Sequence, residues 1–289
     1  MNTKVEFHCP DDTCHPLAEE VAKQLVRNQP GRARMDLYKK RKNKKGGKKR
    51  NIELYTCLFD GETFFVKHYF ERKLVKRLSK MVTGPEGLRC YKIAQQLSAD
   101  GIPVAEPVAA MIYRAGPVNA DSIFIVRRVE GLNLKEVLHR NHWSRLPART
   151  REAVWIQLAR MWARLLNGGY VHQDAHIGNF ILSEGPDDPR MVLVDMDNIH
   201  HYPFTPLRVR LHSLARFHSS LTIHLERAGY GMNPDERTLF FRECCAGLQT
   251  RTDPETLEAT IQRMTTRKVA RRKKNRARKL SKRRERAGE

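Results

Sequence analysis

Hydrophobic and polar positions change period several times along this chain, and each change predicts an element. Leu17, Val21 and Leu25 recur every four residues behind Pro16, the pattern of a short amphipathic helix whose apolar stripe joins a core. A short strand near Arg34 to Tyr38 is followed by two β-branched and aromatic runs, Leu54 to Phe59 and Thr63 to Tyr69. Asp60-Gly61 joins them, and because this pair tolerates positive φ it marks a tight hairpin. From Glu86 to Ala99 the period becomes helical, with Leu88, Tyr91, Ile93, Ala94 and Leu97 apolar. Residues 122–138 read as a buried strand, a turn at Gly131 and a helix start, and a last helical pattern appears near Leu207 to Leu221.

Between two hydrophobic runs stands Val171-His172-Gln173-Asp174-Ala175-His176-Ile177-Gly178-Asn179-Phe180, and Val192-Leu193-Val194-Asp195-Met196-Asp197 follows. An acid, a carboxamide five positions later and a second acid leaving a β-rich run are the parts that phosphoryl transfer from Mg·ATP requires. In that reading Asp174 orients a hydroxyl and accepts its proton, while Asn179 and Asp195 hold Mg²⁺. The competing reading is a surface turn built from Asp and Asn caps. His172 reads as a buried brace for the loop, and His176 as either a substrate contact or a satisfied loop histidine. Lys67, at the end of a hydrophobic strand, is the candidate for gripping the α and β phosphates. Glu86 is either its acidic partner or a first-turn acid favoured by the helix dipole. In a kinase the stretch 122–138 is the hinge, with backbone groups of Arg127, Arg128 and Val129 meeting adenine.

These motifs together resemble the lipopolysaccharide core kinases, the Kdo and heptose kinase group of the protein-kinase-like superfamily. The resemblance spans roughly residues 50–245 and rests on Phe65-Val66-Lys67, on Leu97 to Pro107 with its Gly101-Ile102-Pro103, on the loop, and on Asp195-Met196-Asp197 where protein kinases carry Asp-Phe-Gly. It implies an α+β, two-lobed protein-kinase-like fold: a β-rich N-lobe, a mainly helical C-lobe and a basic C-terminal tail. It also implies ATP-dependent phosphorylation of a heptose or Kdo hydroxyl of the inner core at the cytoplasmic membrane face. By matching positions, Lys67 is the phosphate-binding lysine, Asp174 the catalytic acid, and Asn179 and Asp195 metal ligands; the role of Asp197 stays open. The helix acid of many relatives falls near Cys90, one turn beyond Glu86. Gln173 stands where many protein kinases carry an Arg that reads a phosphorylated loop, and only about ten residues separate Asp197 from the helix near Leu207. A small or lipid-linked acceptor fits so short a segment.

On this reading residues 1–30 form an N-terminal helical extension, 31–130 the N-lobe, 131–266 the C-lobe and 267–289 the tail. At 289 residues and 40% hydrophobic content, the chain can bury one core in each lobe. Absence of a membrane-spanning run or secretory signal leads to the expectation of a cytoplasmic protein. Six cysteines without regular spacing suggest reduced thiols, although His8-Cys9 and Cys14-His15 leave a zinc reading open.

Charge alters the picture most. The net charge is +22, and Arg267 to Arg286 holds thirteen Lys or Arg. Near an anionic leaflet each such cation contributes on the order of 1 kcal/mol within a Debye length of about 8 Å, enough to hold the protein at the inner membrane face. Nucleic-acid phosphates attract the same segment, but it lacks aromatic residues for stacking. Where a glycine-rich phosphate loop belongs, Lys39 to Arg50 instead carries nine Lys or Arg around Gly46-Gly47. That run either covers nucleotide phosphates or an anionic acceptor, or is a solvated loop. Two other functions compete: a small atypical protein kinase of ribosomal or tRNA machinery, and a non-catalytic polyanion-binding protein on a degenerate kinase scaffold. Oligomeric state is not legible.

Overall fold

The computed structural model describes residues 4–42, 51–70, 84–114, 120–140, 142–183, 190–229 and 233–287. It divides into two compact units, one of Met1–Ala99 and Val104–Val129, the other of Asp100–Pro103 and Glu130–Glu289.

Unit one is an antiparallel six-stranded sheet. Its strands are β1 (Lys4–His8), β2 (Arg34–Lys42), β3 (Asn51–Phe59), β4 (Glu62–Phe70), β5 (Pro107–Arg114) and β6 (Ala120–Arg127), in the order β1-β5-β6-β4-β3-β2. Asp60 and Gly61 take φ of 47° and 80°, the left-handed pair of a type I′ turn, and so set β3 against β4 in the predicted hairpin. The basic run Lys39–Arg50 falls largely outside the described residues, which follow β2 only to Lys42.

Helix α1 (His15–Leu25) buries Leu17, Ala18, Val21 and Ala22 against Cys57, Phe64, Val66 and Ile125 on one sheet face. Helix α2 (Glu86–Ala99) lies on β5 and β6, burying Cys90, Tyr91, Ala94 and Leu97. Its entry is close-packed: the Gly87 amide donates to Ser122 Oγ at 3.0 Å, and a Cβ at Gly87 would stand 2.9 Å from the Ile123 carbonyl oxygen. The segment read as a helical extension also supplies β1, paired with β5 in the register Val5↔Tyr113. Val5 and Phe7 alternate with polar neighbours, but the partner strand lies over a hundred residues away, beyond the reach of a local pattern.

Unit two is mainly helical. It contains α3 (Leu134–His139), α4 (His142–Arg145), α5 (Ala148–Asn167), α6 (Leu207–Arg227), α7 (Pro234–Gly247) and α8 (Pro254–Ala287), with short strands β7 (Leu132–Asn133), β8 (Tyr170–His172), β9 (Phe180–Ser183), β10 (Arg190–Leu193) and β11 (Ile199–His201). Its core is aromatic. Phe180 lies with its ring 6.1 Å from Trp162 of α5 and 4.9 Å from Phe217 of α6, while Trp155 meets Trp143 at 5.4 Å and Phe240 of α7 at 6.2 Å. Such contacts contribute about 0.5–1.5 kcal/mol each beyond area burial. Gly101 (φ +69°), Ile102 and Pro103 join this unit: Ile102 is buried, and the Pro103 carbonyl accepts from the Leu193 amide at 2.9 Å, two residues before Asp195. That contact gives the Gly-Ile-Pro signature a physical role. Among the described residues no helix is long and apolar enough to cross a membrane.

Candidate active site

The polar loop after His172 is held by several hydrogen bonds. β8 pairs with β11 (Ile199↔His172), and the Gln173 amide donates to the Asn198 carbonyl at 2.8 Å, which fixes where the chain leaves the strand. Asp174 is exposed at the turn. A single turn of 3-10 helix, Ile177–Asn179, follows, capped by His176, whose Nδ1 accepts from the Gly178 amide at 3.1 Å. His176 is thus a cap. Asn179, 4% exposed, donates from Nδ2 to the Asp174 carbonyl at 3.1 Å, drawing the two ends of the five-residue spacing together. With Nδ2 so engaged, Oδ1 is the carboxamide atom available to a ligand. Phe180, next in the chain, locks the loop into the aromatic core.

Asp195 is reached through the same network. The Val194 amide donates to the Asn179 carbonyl at 2.8 Å, so the second acid leaves β10 beside the carboxamide. Asp195 has φ +71° and ψ 78°, a left-handed conformation that L side chains adopt at some cost and that clusters at functional sites. A further 3-10 turn, Met196–Asn198, returns the chain to β11 and leaves Asp197 buried at 5% exposure. Asp195 is half-buried, whereas Asp197 is buried.

His172 is the predicted brace. It is 1% exposed, with Nε2 3.4 Å from Asn179 Nδ2, and burial pushes its pKa down to about 4 against the opposing pull of the Asp195 charge. The imidazole is therefore neutral at pH 7. Two serines of α6, Ser213 and Ser220, accept from the amides of His172 (3.0 Å) and Ile177 (3.3 Å). Sequence reasoning missed them, as it missed Phe180. Their signal was present: both sit seven residues apart on the apolar face of a helix, where an unpaired hydroxyl is disfavoured.

The remaining predicted residues lie in unit one. On β4, Val66 and His68 point to the α1 face, so Lys67 and Tyr69 point to the other, where the Tyr69 hydroxyl contacts Cys90 Sγ of α2 at 3.7 Å. Lys67 is opposite Phe124, whose ring meets Tyr91 of α2. The strand lysine and α2 thus share one sheet face. Glu86 stands in the first turn of α2 with its carboxylate 3.2 Å from Arg89 Nε. At the end of β6 the amide of Arg127 donates to Glu106 and that of Arg128 to Thr63, at 2.9 and 3.0 Å. Those two amides are sheet donors, and the Arg127 side chain pairs with Glu62 and Glu106.

The donor set suits a magnesium-nucleotide. Asn179 Oδ1 and the Asp195 carboxylate are hard oxygens, and Mg²⁺ bound with a nucleotide takes one or two protein ligands beside phosphates and water. Among the described residues no cluster of three or more His, Cys, Asp or Glu forms a separate metal site, and none forms around Cys9 and Cys14.

A sheet unit with a strand lysine on the face that carries a helix, and a helical unit whose Asp and Asn share one loop hydrogen-bonded to the segment bearing a second Asp, define a kinase-like fold. A solved structure of WaaP in complex with acyl carrier protein shares it, with a TM-score of 0.62 at 18% identity over 92% of this chain and 98% of that one. Residues 39–232, two thirds of the chain, match the lipopolysaccharide kinase (Kdo/WaaP) family. This chain belongs to that family, and a kinase family implies the use of ATP. No curated protein matches the chain.

Proposed function

We propose that this protein transfers the γ-phosphoryl group of Mg·ATP to a sugar hydroxyl, of heptose or Kdo, in the lipopolysaccharide inner core at the cytoplasmic membrane face. The observation that carries the reading is the hydrogen-bonded path from the Asp174 carbonyl through Asn179 to the Val194 amide, which ties together the segments that bear Asp174, Asn179 and Asp195. Asp174 accepts the proton of the acceptor hydroxyl as its oxygen bonds to the γ-phosphorus and the bond to the bridging oxygen breaks, releasing ADP. Asn179 Oδ1 and Asp195 hold the cation, whose bound charge neutralises the phosphates. Lys67 grips the α and β phosphates, and backbone groups between Arg127 and Val129 meet adenine. Neutral His172 and the two α6 serines hold the loop without titrating near pH 7.

Labelled ATP with truncated lipid A-core acceptors, lacking or carrying successive sugars, tests this beside a ribosomal protein substrate. Label on one truncated core, abolished by Asp174→Ala, supports the assignment and names the sugar. Label on protein alone overturns it in favour of a protein kinase, and no transfer to anything favours a polyanion-binding scaffold.

A further inference from the structure

The start of α6 and the middle of α8 enclose a cavity of about 290 Å³ lined by Arg208, Thr260, Arg263, Met264 and Arg267. The four α8 residues fall on one helical face, three or four apart. Among the described residues no carboxylate lines the cavity, and none of its three arginines has an ion-pair partner. Elsewhere in unit two arginines do pair with acids: Arg151 with Glu236, Arg160 with Glu243 and Arg237 with Glu258. Arg263 and Arg267, like charges four apart, repel. The field reaches His212, whose pKa is held below its ordinary value by burial and then by Lys268, Arg216 and Arg208. An anion entering here relieves the repulsion and gains charge-assisted hydrogen bonds, with Thr260 as a further donor.

The surroundings indicate what bears the anion. Just before Arg208, Phe204 is 97% exposed and Tyr202 46%, and Val209 after it is 46% exposed. Exposed aromatics beside cations suit the headgroup level of a membrane. Arg208 precedes Ser213, the anchor of His172, by five residues, roughly 7.5 Å along the helix axis. Most of the cavity lies outside the family match, since α8 begins after residue 232.

We propose that this cavity binds a phosphate carried by a lipid-linked sugar, and so holds the acceptor while the hydroxyl to be phosphorylated meets Asp174; the inference rests on the function proposed above. The test compares full-length protein with Arg263→Glu/Arg267→Glu and with a charge-matched control, Arg283→Glu/Arg284→Glu, in the tail. Each is assayed on a core glycolipid with its lipid-borne phosphates present or removed, and for binding to phosphatidylcholine vesicles with and without that phosphorylated glycolipid, to a soluble sugar phosphate, and to a short single-stranded RNA. The pocket variant should raise KM for the phosphorylated acceptor roughly tenfold, as expected for losing a charge-assisted contact. Its kcat and KM for ATP should hold, its KM for the dephosphorylated acceptor should scarcely move, and the tail control should change KM less. Equal effects of pocket and tail variants, an unchanged KM, or a loss confined to RNA binding would overturn the proposal. Failure of the unaltered protein to phosphorylate any core acceptor sinks the functional reading alone. The cavity is then decided by binding: phosphorylated vesicles lost by the pocket variant and kept by the control uphold it, and sugar phosphate bound without vesicle preference removes the lipid.

Discussion

Three histidines buried without charge make acid the condition under which this protein should fail first, and the two units should fail unequally. His68 in unit one, and His172 and His218 in unit two, are 3%, 1% and 8% exposed, and burial pushes each pKa down to about 4. Arg237 depresses His218 further, while Asp195 opposes the shift at His172 and Glu53 that at His68. An unfolded imidazole titrates near 6.5, so between about pH 6.5 and 4 the unfolded chain binds more protons than the folded one. Stability is therefore full above that window, falls as pH drops through it, and levels off below about 4. From pH 7 to pH 5 each histidine costs on the order of 2 kcal/mol, hence roughly 4 for unit two and 2 for unit one. Against a usual domain stability of about 5–15 kcal/mol, unit two loses a large share. All three tryptophans, Trp143, Trp155 and Trp162, are in unit two, so their fluorescence during urea unfolding at pH 7, 6 and 5 reports that unit. The midpoint should fall steadily, and His172→Gln/His218→Gln should remove most of the fall. A midpoint constant with pH, or an undiminished fall in the double variant, would refute the reasoning.

Other substitutions read the site and its supports. Asn179→Ala removes both the proposed metal oxygen and the tether to the Asp174 carbonyl, so the Mg²⁺ concentration for half-maximal transfer should rise and kcat should drop by roughly two orders of magnitude in steady-state assays. Ser213→Ala strands the buried His172 amide and should cost about 1–3 kcal/mol in urea unfolding, with kcat falling more than KM for ATP rises. Gly131 has φ +126°, and a Cβ there would stand 2.8 Å from Ser183 Cα and closer still to the Leu182 carbonyl oxygen; Gly131→Ala should lower the thermal midpoint clearly, by a few kcal/mol of strain and clash.

What could be read from the sequence divides by the distance over which each feature is determined. The hairpin needed only Asp60-Gly61 between alternating strands, since two residues that accept positive φ decide the turn, and the loop chemistry needed only five residues of spacing. Lys67 owes its face to strand parity, which is local as well. The parts that hold the loop still were invisible for the opposite reason: the His172 amide finds its acceptor 41 residues away on α6, and the Ile177 amide 43 residues away. The hinge shows how tertiary pairing overrides a local reading. The amides of Arg127 and Arg128 donate across the sheet to Glu106 and Thr63, pairings that no pattern within residues 122–138 reveals. The C-terminus makes the same point through composition. Charge density placed a boundary at residue 267, but α8 runs unbroken from Pro254 to Ala287, because Leu257, Ile261 and Thr265 repeat every four residues and bury its first half. A helix begun by packing continues into the basic segment at little further cost. The arginines at the end of its packed half, Arg263 and Arg267, thereby line a cavity with Arg208, which composition alone does not reveal.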